Sequence, residues 1–199
     1  MPFSQQQLNE LWKKDIWFYL REKGAPMFKF LASLIPASCT HILDVGCGEA
    51  LILPHLSKEK HYTGLDFSNF IIDKNINTYS KLILTGEAAF ADGDMLFPFL
   101  RNRYDIILMF GLFPTLDSYE ILELVSLYKN TYHPKYILIE DLAATDFSLV
   151  EKTFHVEKKF LKTFDFISKP VQVGTPEQIN NRQILLLKCK YNGKRKVLD

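Results

Sequence analysis

The chain is short of several things a protein can be built on. It has three cysteines in 199 residues, Cys39, Cys47 and Cys189. An odd, scattered set supplies neither a disulfide framework nor a C-x-x-C metal site. Reduced thiols point to the cytoplasm. No secretory leader opens the sequence, and no apolar run approaches the ~18 residues that a membrane-spanning helix needs. An excess of one charge is also missing. With 24 basic and 23 acidic residues the formal net charge is +1, so no global field draws the chain to a polyanion, which argues against nucleic acid as partner. The basic cluster Lys188, Lys190, Lys194, Arg195 and Lys196 reads as a solvated C-terminus. Histidine, the usual general base, is sparse and badly placed. His41, His61 and His133 precede expected strands, His55 falls on an expected helix and His155 near the start of the sixth strand.

A further absence concerns one glycine. Residues 42–48 read Ile-Leu-Asp-Val-Gly-Cys-Gly, an apolar strand running into a two-glycine turn. In open α/β sheets ligands bind outside the carboxyl ends of the strands, where such loops sit. The dinucleotide fingerprint G-x-G-x-x-G would place a third glycine at position 51, where the chain has Leu51. Asp44 also puts a carboxylate beside the turn. It repels a phosphate and suits an uncharged or cationic ligand. Gly46 and Gly48 can take backbone angles closed to other residues and let a ligand approach the main chain.

Leu43-Asp44-Val45-Gly46-Cys47-Gly48-Glu49-Ala50 resembles the first motif of the class I S-adenosylmethionine-dependent methyltransferases, apolar-Asp-x-Gly-x-Gly-x-Gly, with Ala50 in place of the last glycine. The resemblance extends over about residues 38–190. It implies a seven-stranded sheet whose last strand is inserted antiparallel between the fifth and sixth. The implied cofactor, S-adenosyl-L-methionine, carries an ammonium and a sulfonium but no phosphate, in agreement with the charge of Asp44.

Periodicity fills in the rest. Residues 4–35 read as two helices broken at Gly24-Ala25-Pro26, the first capped by Ser4. Strands are expected at His41–Val45, 62–66, 88–91, 104–110 and 136–139, and two more near 154–173 and 183–190. A first crossover helix is expected to begin at 51–56, with Pro54 in its opening turn. Further helices are expected at 69–82, Ser118–Tyr132 and 147–154, and a turn at 174–182. Strands alternating with helices specify an α/β, doubly wound, mostly parallel sheet with helices on both faces. The organisation is an N-terminal helical cap at 1–37, the cofactor-binding domain at 38–191 and a tail at 192–199.

The strand ends then nominate a site. Gly46, Cys47 and Gly48 form the cofactor turn; Cys47 has no neighbour that would activate it as a nucleophile. Asp66, closing the second strand, can accept from both ribose hydroxyls, as NAD-binding folds also do. The resemblance places Phe67 against the adenine, with Ser68 following, and gives Asp94 of Gly93-Asp94 the adenine amino group, with Asp92 as competitor. Met95 supplies an N–H and an apolar wall, and Phe110 and Phe113 wall the methyl-transfer centre. Glu140 and Asp141 are candidates for contacting the substrate or taking its proton; the alternative is plain solvation, or helix capping by Asp141. Trp12, Trp17 and Tyr19 either lid the site or simply cover the sheet. No residue set has metal-ligand spacing. The function expected is in-line methyl transfer to a small-molecule acceptor, a reaction that needs positioning more than a strong base. The alternatives are a non-catalytic protein that binds S-adenosylmethionine or S-adenosylhomocysteine, a methyltransferase acting on protein or RNA, and a nicotinamide-dependent oxidoreductase.

Overall fold

A computed structural model describes residues 4–114, 116–166 and 175–190; the tail at 192–199 and Gly174 lie outside them. Seven strands form one sheet: β1 (His41–Val45), β2 (His61–Asp66), β3 (Ala88–Asp92), β4 (Ile106–Phe110), β5 (Tyr136–Leu142), β6 (His155–Thr163) and β7 (Asn181–Lys188). Their order is β3-β2-β1-β4-β5-β7-β6. β1 pairs in parallel with β2 and β4, and β7 lies antiparallel between β5 and β6. The class, the strand count and the reversed last strand are as the sequence implies. The reversal has a consequence for chemistry. It brings the first residues of β7 to the same end of the sheet as the last residues of β1, β2, β4 and β5.

Side chains alternate across a strand, and here the alternation fills two cores. Ile42, Leu108, Leu138 and Ile184 face the N-terminal helices, while Leu43, Ile107, Ile137 and Leu185 face the opposite side with Ile121 and Val125 of the long helix. The helices are α1 (Gln5–Lys13), α2 (Phe18–Lys23), α3 (Ala25–Leu34), α4 (Asn69–Thr78), α5 (Ser80–Leu84), α6 (Ser118–Tyr132), α7 (Ser148–Thr153) and α8 (Pro176–Asn180). The longest, α6, starts on a capping box: Asp117 accepts from the N–H groups of Tyr119 and Glu120.

Three expectations need correcting. The N-terminal region is three helices rather than two, because Asp15 adopts a left-handed φ of 53° and breaks the first one. Between β1 and β2 there is a turn and one 3-10 segment (Leu53–His55) instead of a crossover helix. Gly46, Gly48 and Ala50 all have positive φ, at 68°, 50° and 52°, and alternating left-handed residues cannot propagate a right-handed helix. Pro54 then removes a donor. The stretch before β7 folds into α8, begun by a capping box on Thr175.

Candidate active site at the strand ends

The glycine turn hangs from β2. The N–H groups of Gly46 and Cys47 both donate to Leu65 O, at 2.7 and 3.0 Å. Gly48 N–H donates to Asp66 Oδ2 at 2.9 Å, and Asn75 Nδ2 holds Gly48 O at 2.6 Å. Gly46, with φ +68°, strains any L side chain, and a Cβ there would also displace Leu112 Cδ2, 2.1 Å away. Burial pushes the Cys47 thiol well up, so it stays protonated and inert.

Asp44, at the end of β1, is almost fully buried and accepts the Tyr62 hydroxyl at 2.6 Å. Burial raises its carboxyl to about 7, against the opposing Tyr62 hydrogen bond and with help from the nearby Asp66 charge. Asp66 is itself pushed up by burial, while the N–H groups of Ser68 and Gly48 pull it back. Its Oδ1 accepts from Ser68 N–H at 2.9 Å. Each oxygen retains lone-pair capacity for a further donor.

The cap is tied to the rim of this turn. Gln5 Nε2 donates to Phe67 O at 2.9 Å, Asn9 Nδ2 to Asn69 Oδ1 at 2.8 Å, and Ser68 Oγ to Asn9 Oδ1 at 2.6 Å. Arg21 and Lys74 share one oxygen of Glu49. Trp12 and Trp17 pack at 4.4 Å between ring centroids, and Trp12 lies over Gly48, 3.0 Å from where a Cβ would stand. Beneath them is a cavity of about 410 Å³, whose lining includes Asp44, Gly46, Cys47, Gly48, Asp66, Phe67, Met95, Phe110, Trp12, Trp17 and Tyr19.

Three nominated residues lie elsewhere. Ser68 spends its hydroxyl on Asn9 and on capping α4. Asp94 accepts from Leu96 N–H at 2.9 Å within its own turn. Phe113 points into the other core and meets the Phe147 ring edge-on at 5.6 Å.

The far wall of the cavity carries Glu140, Asp141 and Arg182. The Arg182 Nε–H donates to Glu140 Oε1 in a tight buried pair. Asp141 accepts from the N–H of Phe113 at 2.7 Å and of Leu142 at 2.6 Å. Burial, with the adjacent Glu140 charge, raises Asp141 to about 6. Glu140 is 1% exposed and Asp141 0%. In the ligand-free protein both have a holding role on the cavity wall, Glu140 on Arg182 and Asp141 on the turn after β4. Sequence reading missed Arg182, Tyr62 and Asn75. A signal for Arg182 existed: it is a lone cation opening an apolar strand, and an antiparallel β7 sets Arg182 against Leu142 and Gln183 against Asp141.

Residues 42–134 match the family model described as Methyltransferase domain. Over those residues the chain is similar to a methyltransferase domain, in agreement with the resemblance of its Asp44–Gly48 turn. Solved structures agree in fold. The 16S rRNA methylase RmtB superposes with a TM-score of 0.60 at 18% identity, over 86% of this chain and 64% of that one. Magnesium protoporphyrin IX methyltransferase (ChlM) from Synechocystis, with bound SAM, gives 0.61 at 14% identity over 88% and 83%. The N-methyltransferase NodS from Bradyrhizobium japonicum, in complex with S-adenosylhomocysteine, gives 0.61 at 12% over 85% and 87%. The chain thus spans less than two thirds of the length of RmtB and about five sixths of the other two. No curated protein sequence matches it.

Proposed function

We propose that this protein transfers a methyl group from S-adenosylmethionine to a small-molecule acceptor by in-line displacement at the sulfonium. The observation that carries the reading is the capped cavity at the glycine turn, with Asp44 at one side of the turn and Asp66 bound to its backbone. In this reading Asp44 faces the cofactor's ammonium, and the main chain of Gly46, Cys47 and Gly48 lies along the methionine portion. Asp66 accepts from the ribose hydroxyls, Phe67 stacks on the adenine, and Met95 and Phe110 form apolar walls. Trp12, Trp17 and Tyr19 form the lid. A sulfonium is already a good leaving group, so the protein's task is to align donor and acceptor in a dry pocket, an effect that reaches roughly 7–11 kcal/mol in well-oriented systems. A capped, largely apolar cavity and a balanced charge favour a small acceptor over a polyanion. Three free, buried cysteines suit a reducing, cytoplasmic setting. Among the described residues no helix is long and apolar enough to cross a membrane.

Calorimetric titration with S-adenosylmethionine and, in parallel, NAD tests the cofactor. Saturable binding of the first alone is the expected result, and binding of NAD alone overturns the reading. Transfer of a labelled methyl group to a component of cell extract then separates an enzyme from a protein that only binds the cofactor.

Two further outcomes follow from the geometry. Asp44 is largely protonated below pH 7 in the free protein, and a cationic ligand requires it ionised. Binding therefore releases a proton. Affinity for S-adenosylmethionine should tighten as pH rises from about 5 to 7, by up to tenfold per unit, and level off above. Tyr62→Phe removes a hydrogen bond that lowers the Asp44 pKa, so it should move this profile to higher pH. Stability has the same sign logic. A carboxyl raised above its unfolded value binds an extra proton in the native state, so the Asp44 contribution makes the ligand-free protein less stable as pH rises from about 4 to 7. The second outcome is optical. Both tryptophans of the chain line the cavity, so cofactor binding should change intrinsic emission saturably, and Trp12→Phe should remove most of the change. A silent titration under conditions where calorimetry reports binding counts against the lid.

A further inference from the structure

Among the described residues Arg182 is the only cation lining the cavity, and the contacts it makes with them leave part of it unsatisfied. A guanidinium has five N–H donors. Nε–H is taken by Glu140, and Nη1 reaches Ile179 O at 3.5 Å. Among the described residues Nη2 has no partner. It lies near Gly111, 3.9 Å from where a Cβ of that residue would stand. Gly111, with φ +62°, has no side chain to close the gap, and it too lines the cavity. Nη2 is thus a donor with capacity left on the cavity wall, so this wall can receive an oxygen.

Charge selects which oxygen. Glu140 already balances Arg182, Asp141 lies alongside, and Asp44 and Asp66 line the same cavity. A carboxylate or phosphate entering here adds a negative charge to a site that is already acidic. An ammonium meets the opposite obstacle. Glu140 Oε1 is taken by Arg182 and both Asp141 oxygens accept backbone N–H groups; the two residues are 1% and 0% exposed, whereas Arg182 is 5% exposed. The accessible polar group is thus a donor. Around it the walls are apolar: Trp17, Leu20, Met27, Phe28, Phe110 and Ile179.

We propose that Arg182 is the specificity-determining residue for the methyl acceptor, and that the acceptor is a largely apolar small molecule presenting an uncharged, hydrogen-bond-accepting oxygen, a carbonyl or a phenol, to its Nη2. This rests on the methyltransferase reading, with the cofactor at the glycine turn. Glu140 acts through Arg182 as a positioning residue, fixing the guanidinium plane by its bond to Nε.

The test uses the full chain saturated with S-adenosylhomocysteine, whose binding is first measured by calorimetry. Acetophenone, phenol, benzoate, benzylamine and toluene are then compared by saturation-transfer NMR. Arg182→Lys keeps a charge for Glu140 but loses the fork, and the paired variant Glu140→Gln/Arg182→Met removes both charges, so one of them reads the site even if the other folds poorly. The expected result is preferential binding of acetophenone and phenol, weakened at least about tenfold in the variants, with S-adenosylhomocysteine affinity unchanged. Equal or better binding of toluene, benzoate or benzylamine, absence of any fragment binding, or a preference that survives in Arg182→Lys overturns the proposal. Failure to bind S-adenosylhomocysteine in the first step instead overturns the cofactor reading beneath it.

Discussion

Arg182→Met should destabilise the protein by about 3–5 kcal/mol, because it leaves a buried carboxylate without its counter-charge. Glu140 is 1% exposed, and its partner on the described protein is Arg182. Asp141, next in sequence, adds a second carboxylate to the same wall. For a chain of this length the loss corresponds to a fall in Tm on the order of 6–20 °C. Adding Glu140→Gln to Arg182→Met should restore much of it, since removing both members of a buried pair is often close to neutral. Scanning calorimetry of wild type, single and double variants decides the point. If the single variant melts within about a degree of wild type, Glu140 is not held as the structure indicates. The pair is thus a stability determinant as well as part of the cavity wall, and for that reason the acceptor test above includes the double variant.

Asp66→Ala should weaken S-adenosylmethionine binding by roughly 10- to 150-fold, the equivalent of about 1.5–3 kcal/mol for a charged hydrogen-bonding group. Two effects add. The ribose loses its acceptor, and Gly48 N–H and Ser68 N–H lose theirs, at 2.9 Å each. The second effect loosens the glycine turn itself. Asp66→Asn is not a mild replacement: an amide nitrogen would face one of those two N–H groups, donor against donor. It should therefore fall nearer to Ala than to wild type. Calorimetry on variants whose folding has been checked by circular dichroism measures this. Unchanged affinity in Asp66→Ala would remove Asp66 from the cofactor site and leave it a purely structural clamp.

Much of this was readable because the signals are local. The alternation of Ile42, Leu43 and Val45, the apolar run Ile106–Phe110 and the helical stripe of Ser118–Tyr132 depend on side-chain period alone. The Asp-x-Gly-x-Gly turn is local as well, since positive φ at Gly46 and Gly48 is a property of residue type and position. Errors came where neighbours in space decide. Residues 51–56 have helical composition, yet the turn is held to β2 by two bonds to Leu65 O, with Ala50 left-handed. Ser68 and Phe113 sit next to the proper strand ends, but the side chains point to Asn9 and to Phe147. One step along a strand reverses the direction of a side chain and one step in a helix turns it by roughly 100°, and motif spacing does not carry that direction.

The sequence by itself determined the fold class, the glycine turn and the acidic residue that closes the second strand, because backbone freedom and hydrophobic period are encoded in contiguous residues. Only the tertiary structure decided what Glu140, Asp141 and Arg182 are. Arg182 lies 42 positions from Glu140, and the antiparallel insertion of β7 alone brings the two together. Once buried there, the charges must pair, since an isolated one in a low-dielectric wall costs several kcal/mol. That requirement set Glu140 to hold the guanidinium, while Asp141 holds the turn after β4 and Arg182 Nη2 lies by Gly111 on the cavity wall.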